Sequence, residues 1–416
     1  MPVLRPIPVA KPTLGEEEVA AVREAILSGW VTQGPRVRAF EDAFARHVGA
    51  PYACAVSSCT AALHLALLAA GTRPGDVVIT ASLSFIATAN AVRHCQAEPV
   101  FVDIDYDTLN IDPGPLAACL ANDFQERDGQ LWYRHCDRLS TGDSPLAGRT
   151  GPVGRLAAIL LVHQVGMPAD LAAVLRIARQ YGVPVVEDAA CAAGSEVTLD
   201  DGRTWERIGR PHGDIACFSF HPRKVITTGD GGMLTTASAA HERLFRLLRH
   251  HGMDTPDYVR HRSEQIVVEN YVVTGFNYRL TDVQAAIGLC QITRLPRLVE
   301  LRRRIASLYT EQLSAIPWIT PPSEKPWARS NWQSYVIKVD DGVDAIHVMQ
   351  SLKARGIDTR PGVMCAHREA PYAWAWPQGC LPESERAQRC GIVLPLYPEM
   401  AAEDVRRVAD ELARAA

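Results

Sequence analysis

The stretch DIACFSFHPRKVITTGDGG, residues 214–232, contains the pattern that decides the fold. It opens with an apolar run, Asp214–Phe218, and ends in a turn of threonines and glycines at 227–232. A continuous apolar run is typical of a strand covered on both faces, and glycines are typical of a tight reversal of the backbone. Lys224 follows the strand and precedes the turn, so we expect it to emerge where the strand stops.

Five more apolar runs precede this one, and helical patterns separate several of them. Strands are predicted at Tyr52–Val56, Val77–Thr80, Val100–Asp103, Ala158–Val162 and Val183–Glu187, with helices at Cys59–Ala70 and Leu171–Tyr181. Strands that alternate with helices are typical of an α/β domain with a mostly parallel sheet. We therefore predict a large α/β domain over residues 1–250.

The remainder of the 416 residues has a different pattern. A long amphipathic run at about 281–313 predicts a helix that bridges two domains, and alternation at 332–339 predicts a strand with Lys338 pointing outward. We predict a smaller α+β domain over residues 251–416. A polar stretch at 121–155 breaks the rhythm of the large domain and is interpreted as an insertion.

Composition excludes several classes of partner. With a formal charge of −4 and a pI near 6.4, the chain has no basic surplus for nucleic acid or an anionic membrane. No apolar stretch approaches the roughly 20 residues that span a bilayer, and no signal peptide is recognisable, so a cytoplasmic location is expected. The eleven cysteines contain no CxxC pair. They predict reduced thiols and no metal site.

Lys224 is the best candidate for a catalytic amine among only five lysines. Asp188 follows another predicted strand, which puts a carboxylate at the same edge of the sheet, where α/β proteins bind ligands. The run Ser57–Ala62 joins a strand to a helix and suits a phosphate, with Ser219 as a further hydroxyl. Phe85 follows a third strand and is expected to cover an aromatic ring. Together these groups predict pyridoxal 5′-phosphate, held by lysine as a Schiff base.

Six segments, in order from about residue 10 to 315, resemble the DegT/DnrJ/EryC1/StrS family of pyridoxal-phosphate-dependent sugar aminotransferases. They are GWVTQGPRVRAFEDAFA, VSSCTAALHLAL, SLSFIATANAV, VVEDAACAAG, SFHPRKVITTGDGG and GFNYRLTDVQAAIG. The resemblance implies the aspartate aminotransferase-like fold of type I and a homodimer with shared active sites. It implies the following cofactor contacts: Lys224 as the Schiff base, Asp188 at the pyridine nitrogen, Cys59, Thr60, Ala61 and Ser219 at the phosphate, Phe85 on the ring, Cys191 near the phenolic oxygen, and Asn277 at the partner subunit's phosphate.

Two positions depart from the family pattern. Cys59 stands where the family usually has Gly, and its backbone N–H is still expected to serve the phosphate. Cys191 stands where Gln or His is usual, so the customary hydrogen bond to the cofactor is in question there. Lys224 itself is kept, whereas some relatives that dehydrate sugars have His, and this favours transamination.

The predicted reaction moves an amino group from glutamate or glutamine to a keto group of a sugar nucleotide or cyclitol. Three alternatives remain open: dehydration, transamination of a non-sugar ketone, and a catalytically silent regulatory relative. The acceptor is not identified by any motif. Candidate substrate contacts are Trp30, Thr32, His163, His367 and Arg368, each with a structural role as its competing interpretation.

Overall fold

The computed structural model of the protein describes residues 5–254 and 268–415. Within them the α-helices are α1 Glu16–Leu27, α2 Pro35–Val48, α3 Cys59–Ala69, α4 Ala87–His94, α5 Pro113–Asn122, α6 Cys136–Leu139, α7 Leu171–Tyr181, α8 Ala239–Leu248, α9 Asp282–Leu313, α10 Ala345–Ala354, α11 Pro382–Cys390 and α12 Ala402–Ala413.

The strands of the large sheet are β1 Tyr52–Val56, β2 Val77–Ala81, β3 Glu98–Val102, β6 Leu156–Val162, β7 Val185–Asp188, β10 Ile215–Ser219 and β11 Gly232–Thr236. The shorter strands are β4 Phe124–Arg127, β5 Gln130–Tyr133, β8 Glu196–Val197, β9 Glu206–Arg207, β12 Ile319–Thr320, β13 Ala328–Arg329, β14 Tyr335–Val339, β15 Arg360–Pro361 and β16 Gly391–Leu394.

The seven-stranded sheet has the order β1-β11-β10-β7-β6-β2-β3. Strands β3, β2, β6, β7 and β10 run parallel to one another, and β11 is antiparallel to both β1 and β10. The sequence predicted six of these strands and missed β11. That strand begins with glycine and ends with two threonines, whose hydroxyls donate to backbone carbonyls of Gly209 and Asp214 at 2.8 Å each.

Helix α3 is buried along almost its whole length, which agrees with its sequence. Leu65 and Leu67 have no exposed surface, and the helix packs against β10, β11 and α8. A helix that is apolar on all sides is stable only inside a core. Ser58 caps its first turn by accepting the Ala61 N–H at 3.1 Å. The first turn of α3 is therefore held firmly against the sheet.

A buried ion pair fixes β1, the strand that leads into α3. Glu41 accepts hydrogen bonds from the Ala55 N–H at 2.9 Å and from Arg249 Nη1 at 2.5 Å. Arg249 also donates to the Ala55 carbonyl at 2.7 Å. Burial opposes the charge on Glu41, but Arg249 and Arg246 outweigh it and lower the pKa of Glu41.

The later part of the chain forms a four-stranded antiparallel sheet of order β12-β14-β16-β15. A second core joins this sheet to α9, α10 and α12 and takes in Ile7 from the beginning of the chain. Helix α9 begins after Thr281, whose hydroxyl accepts the Gln284 N–H at 3.2 Å. The domain boundary at residue 250 remains a prediction.

Lys338 does not point outward, contrary to the prediction from alternation. All five residues of β14 are buried, and Lys338 is only 6% exposed. Its Nζ donates to the Tyr106 carbonyl at 3.0 Å, because the segment around Tyr106 covers this face of the strand. Burial lowers the pKa of Lys338, partly offset by Asp107.

The insertion predicted at 121–155 contains the hairpin β4–β5 and helix α6. Arg138 of α6 lies over the Trp376 ring, with Cζ 4.2 Å from the ring centre, and donates to Tyr133 Oη at 2.5 Å. The hairpin is therefore linked to the segment before α11 by a cation–π contact.

Candidate active site

Asp188 and the residues leading to Lys224 lie at one edge of the large sheet. Strands β7 and β10 are parallel neighbours, with Cys217 opposite Asp188. Both strands therefore end at the same edge, and Ser219 and Lys224 follow beyond it. The carboxyl edge of a parallel sheet is the usual ligand site in this class of fold.

The loop that carries Lys224 is fixed by hydrogen bonds on both sides of the lysine. The Lys224 N–H donates to the His221 carbonyl at 2.8 Å, and Thr227 Oγ1 donates to the Phe220 carbonyl at 2.8 Å. Gln333 Nε2 donates to the Arg223 carbonyl at 2.5 Å. The lysine backbone is thus held in place before any ligand binds.

Gly232 lets this loop return directly against the start of α3. A Cβ at this position would lie 2.4 Å from the Ser58 carbonyl oxygen and 2.8 Å from the Cys59 nitrogen. Both atoms are backbone, so a side chain would force the strand and helix apart. The close contact brings the lysine loop beside the N-terminus of α3.

Asp188 is a buried carboxylate, 5% exposed, with a donor on each oxygen. Thr88 Oγ1 donates to Oδ2 at 2.8 Å, and the Ala190 N–H donates to Oδ1 at 3.1 Å. Burial raises the pKa of Asp188, and the hydrogen bond from Thr88 opposes this shift. The carboxylate is oriented and desolvated, as required to pair with a buried cation.

The Lys224 amine donates to Cys191 Sγ at 3.0 Å. Burial opposes the charge on the amine, but Cys191, Cys59 and Asp188 outweigh it and raise the pKa of Lys224. The structure therefore brings together the lysine, the carboxylate and both cysteines that the sequence singled out.

The first turn of α3 offers amides to an anion. The Ala61 N–H already donates to Ser58 Oγ, whereas the Cys59 and Thr60 N–H groups have no acceptor within the described residues. First-turn amides have no intrahelical partner, and the helix dipole favours negative charge there. Cys59 and Thr60 therefore have the free donors, and the Ala61 amide does not.

Three other predicted cofactor residues occupy different surroundings. Phe85 is 64% exposed and follows the buried segment after β2. Ser219 is buried, and its hydroxyl accepts the His221 N–H at 3.4 Å. Asn277 is exposed and forms a backbone bridge with His250. These three cofactor roles remain predictions.

Trp30 and Thr32 belong to a turn that Asp282 attaches to α9. The Asp282 carboxylate accepts N–H groups of Gly34 and Val37 at 2.9 Å, and its own N–H donates to the Thr32 carbonyl at 2.9 Å. A Cβ on Gly34 would lie 2.8 Å from Asp282 Oδ2. Thr32 is exposed and Trp30 is half-buried.

Two of the predicted substrate contacts are fully buried. His163 Nδ1 accepts the Ala169 N–H at 3.1 Å, so Nε2 is the protonated nitrogen that donates to Glu187 at 2.9 Å. His367 contacts Ser82 at 2.6 Å and Glu385 at 3.1 Å. The structure does not place either ring where substrate can reach it.

Arg368, the residue after His367, is exposed, so its guanidinium is available.

The sequence analysis did not predict the structural roles of two residues of the site, Thr88 and Asn331. Thr88, which orients Asp188, lies within the quoted segment SLSFIATANAV, but nothing in the sequence pairs it with a residue 100 positions away. Asn331 donates from Nδ2 to the Cys191 and Ala193 carbonyls, at 2.8 Å each. It fixes the loop that presents Cys191.

The chain matches the DegT/DnrJ/EryC1/StrS aminotransferase family over residues 12–126 and 140–413. It belongs to this family. The gap between the two matched ranges, residues 127–139, lies in the insertion and contains β5 and α6. DegT/DnrJ/EryC1/StrS proteins are pyridoxal-phosphate-dependent aminotransferases, and this chain is an enzyme of that class with their type I fold.

Solved structures of related proteins have the same architecture. The aminotransferase TlmJ from Streptoalloteichus hindustanus is 32% identical over 99% of each chain, with a TM-score of 0.81. DesV from S. venezuelae, in complex with a ketimine intermediate, is 28% identical over 98% of each chain, with a TM-score of 0.81. DesI, in the presence of its TDP-sugar product, is 28% identical over 98% of this chain and 92% of its own, with a TM-score of 0.79.

No described helix has the length and hydropathy to cross a membrane. No group of three or more histidine, cysteine, aspartate or glutamate side chains there is placed to hold a metal ion.

Proposed function

We propose that this aminotransferase binds pyridoxal 5′-phosphate through Lys224 and transfers an amino group from glutamate or glutamine to a keto sugar carried on a nucleotide. The observation that carries the proposal is that Asp188 ends β7 and Lys224 follows its parallel neighbour β10, in a loop that packs against the start of α3 and its free amides. The sugar-nucleotide acceptor is supported by the likeness to DesI, whose structure contains a TDP-sugar product.

The residues present fit this cofactor. Lys224 provides the primary amine for the aldehyde, and Asp188 provides a buried anion for the pyridine nitrogen. The Cys59 and Thr60 amides, with Ser219, suit the phosphate, and the exposed Phe85 ring is available to stack. When bound, the cofactor withdraws electrons from the carbon that bears the amino group.

With the cofactor bound, Lys224 would be the base, because its Nζ would be the group placed to take a proton from the substrate carbon and return it. Asp188 would present its negative charge to the ring nitrogen, and Thr88 keeps that carboxylate oriented. Cys191 and Asp188 raise the pKa of Lys224, which favours the charged amine. Only the neutral amine can act as a base, so the contacts of Lys224 with these two residues must change when ligand binds.

A homodimer with shared sites is part of the proposal. Exposed apolar side chains lie on α1, in the turn after it and in the segment that follows the gap in the described residues: Val19, Ile26, Leu27, Val31, Val268, Tyr271 and Val272. We propose that the partner subunit covers these side chains. Asn277 follows this last segment, and we propose that it contacts the partner subunit's phosphate. A cytoplasmic location likewise remains a prediction.

The proposal is tested by measuring both half-reactions by absorbance. The purified protein should be yellow, glutamate or glutamine should bleach the band with stoichiometric release of keto acid, and a keto-sugar nucleotide should restore it. If only keto-cyclitols or simple keto acids restore the band, the acceptor is one of these compounds and not a keto-sugar nucleotide. Product without keto acid would indicate a dehydratase, and an unchanged band with either donor would indicate a silent relative.

A further inference from the structure

The contact between Cys191 and Lys224 places a thiol against a primary amine. Cys191 is half-buried, and its Sγ lies 3.0 Å from Lys224 Nζ. Asn331 donates to the Cys191 carbonyl, and Gln333 donates to the Arg223 carbonyl in the loop that carries Lys224. The backbone segments that carry the two reactive atoms are therefore both held by hydrogen bonds.

Two other thiols lie in the same region but are much less suited to oxidation. Cys59 and Cys217 are buried, and burial raises the pKa of each well above its ordinary value. Sulfur oxidation by peroxide requires thiolate character and access. Cys191 is partly exposed and has an amine as its direct neighbour, so it is the thiol in this region that oxidation should select.

We propose that peroxide oxidation joins Cys191 to Lys224 through a reversible sulfur–nitrogen bond. Hydrogen peroxide transfers one oxygen to Cys191 Sγ, giving a sulfenic acid, and leaves as water. The neutral Lys224 nitrogen then attacks the sulfur, the sulfur–oxygen bond breaks, and hydroxide leaves with the amine proton as a second water. Sulfur loses two electrons and peroxide gains two.

The consequence is a redox-sensitive loss of the catalytic amine. While the bond exists, Lys224 has no free amine for the cofactor. Two equivalents of a thiol reductant restore the amine and the Cys191 thiol and form one disulfide. The cross-link itself does not depend on the proposed function, whereas its effect on cofactor binding rests on it.

The cross-link is tested on the full chain, freed of cofactor, by peptide mass spectrometry after brief treatment with dilute hydrogen peroxide. We expect a species in which the Cys191 and Lys224 peptides are joined and about 2 Da are lost. Dithiothreitol should reverse it. It should be absent from Cys191→Ser, Cys191→Ala and Lys224→Arg, and present in Cys380→Ser, a matched control at an exposed cysteine. Circular dichroism checks that each variant is folded.

Cysteine oxidation without a joined peptide would overturn the proposal, as would a peroxide-treated chain in which Cys191 is unchanged. A joined peptide that retains an added oxygen would overturn the direct sulfur–nitrogen bond. The same treatment after saturation with pyridoxal 5′-phosphate separates this inference from the proposed function. Protection supports both, whereas an undiminished cross-link supports this inference and contradicts cofactor attachment at Lys224.

Discussion

Thr88 Oγ1 donates a hydrogen bond to Asp188 Oδ2 at 2.8 Å, and Ser84 Oγ lies 2.8 Å from the same threonine oxygen. All three residues are buried. A short polar chain therefore runs from the segment before Phe85 to the carboxylate at the end of β7. We regard Thr88 as a positioning residue, since it acts on Asp188 rather than on a ligand.

Replacing Thr88 by valine should raise the pKa of Asp188 further, because the hydrogen bond that stabilises the carboxylate is lost. A hydrogen bond to a charged group contributes about 1.5 kcal/mol or more, which corresponds to roughly 1 pH unit. The acid limb of cofactor binding, followed by absorbance, should therefore move up by about that amount. Thr88→Ser retains the hydroxyl and should restore the wild-type midpoint. Identical acid limbs for Thr88→Val and wild type would contradict the role of Thr88.

Asp188→Asn should make the cofactor-stripped protein more stable at neutral pH. Because burial raises the pKa of Asp188 above its unfolded value, its contribution is favourable at low pH and is lost as pH rises through the folded pKa. Asparagine does not ionise, so the variant does not lose stability in this way as the pH rises. Its melting temperature should exceed that of wild type at pH 7, and the two melting temperatures should converge toward pH 4. Its transamination rate should fall by about 100-fold or more, because the anion at the ring nitrogen is gone.

A melting temperature for Asp188→Asn below that of wild type at neutral pH would contradict this view of Asp188. Thermal unfolding followed by circular dichroism across the pH range provides the measurement.

Asp282→Ala should destabilise the fold and loosen the turn that carries Trp30 and Thr32. The carboxylate caps the start of α2 with several hydrogen bonds, so its loss should lower the free energy of unfolding by about 2–4 kcal/mol. Gly34→Ala should cost about 1–3 kcal/mol by a different route, since the added Cβ meets the same carboxylate and Trp30. Urea denaturation measures both. Glu16→Ala, at an exposed position of α1, should have little effect.

Arg138→Ala tests whether the insertion is anchored as the structure indicates. Loss of the contact with Trp376 and of the hydrogen bond to Tyr133 should lower stability by about 1–2 kcal/mol. Glu126→Ala is the matched control: Glu126 is exposed on β4, in the hairpin of the same insertion, and its replacement should leave stability unchanged. Equal urea midpoints for the two variants would show that the hairpin is not held through Arg138.

Much of the fold follows from local pattern. Apolar runs covered on both faces predicted six strands of the large sheet, and α7 has the predicted bounds. The strand β11 was missed because three of its five residues are glycine or threonine, and its threonine hydroxyls bond to distant segments. The orientation of Lys338 was wrong for a related reason: the outer face of β14 is covered by residues near Tyr106, which no local periodicity reveals.

The candidate site was predictable in its parts and less so in its assembly. Lys224, Asp188 and the start of α3 each follow a strand, so the sheet edge brings them together. Contacts between side chains far apart in sequence, such as Thr88 with Asp188 or Asn331 with the Cys191 loop, have no sequence signal in a single chain. His163 illustrates the converse, since a histidine directly after a strand is equally suited to a buried hydrogen-bond pair.

The central claim is that Lys224 is the amine that binds the cofactor. Borohydride reduction of the yellow protein, followed by peptide mass spectrometry, locates that amine directly. We predict a reduced pyridoxyl phosphate group on the peptide containing Lys224, and no covalent label in Lys224→Ala. A label on Lys338, which is buried, or wild-type transamination by Lys224→Ala would contradict the account.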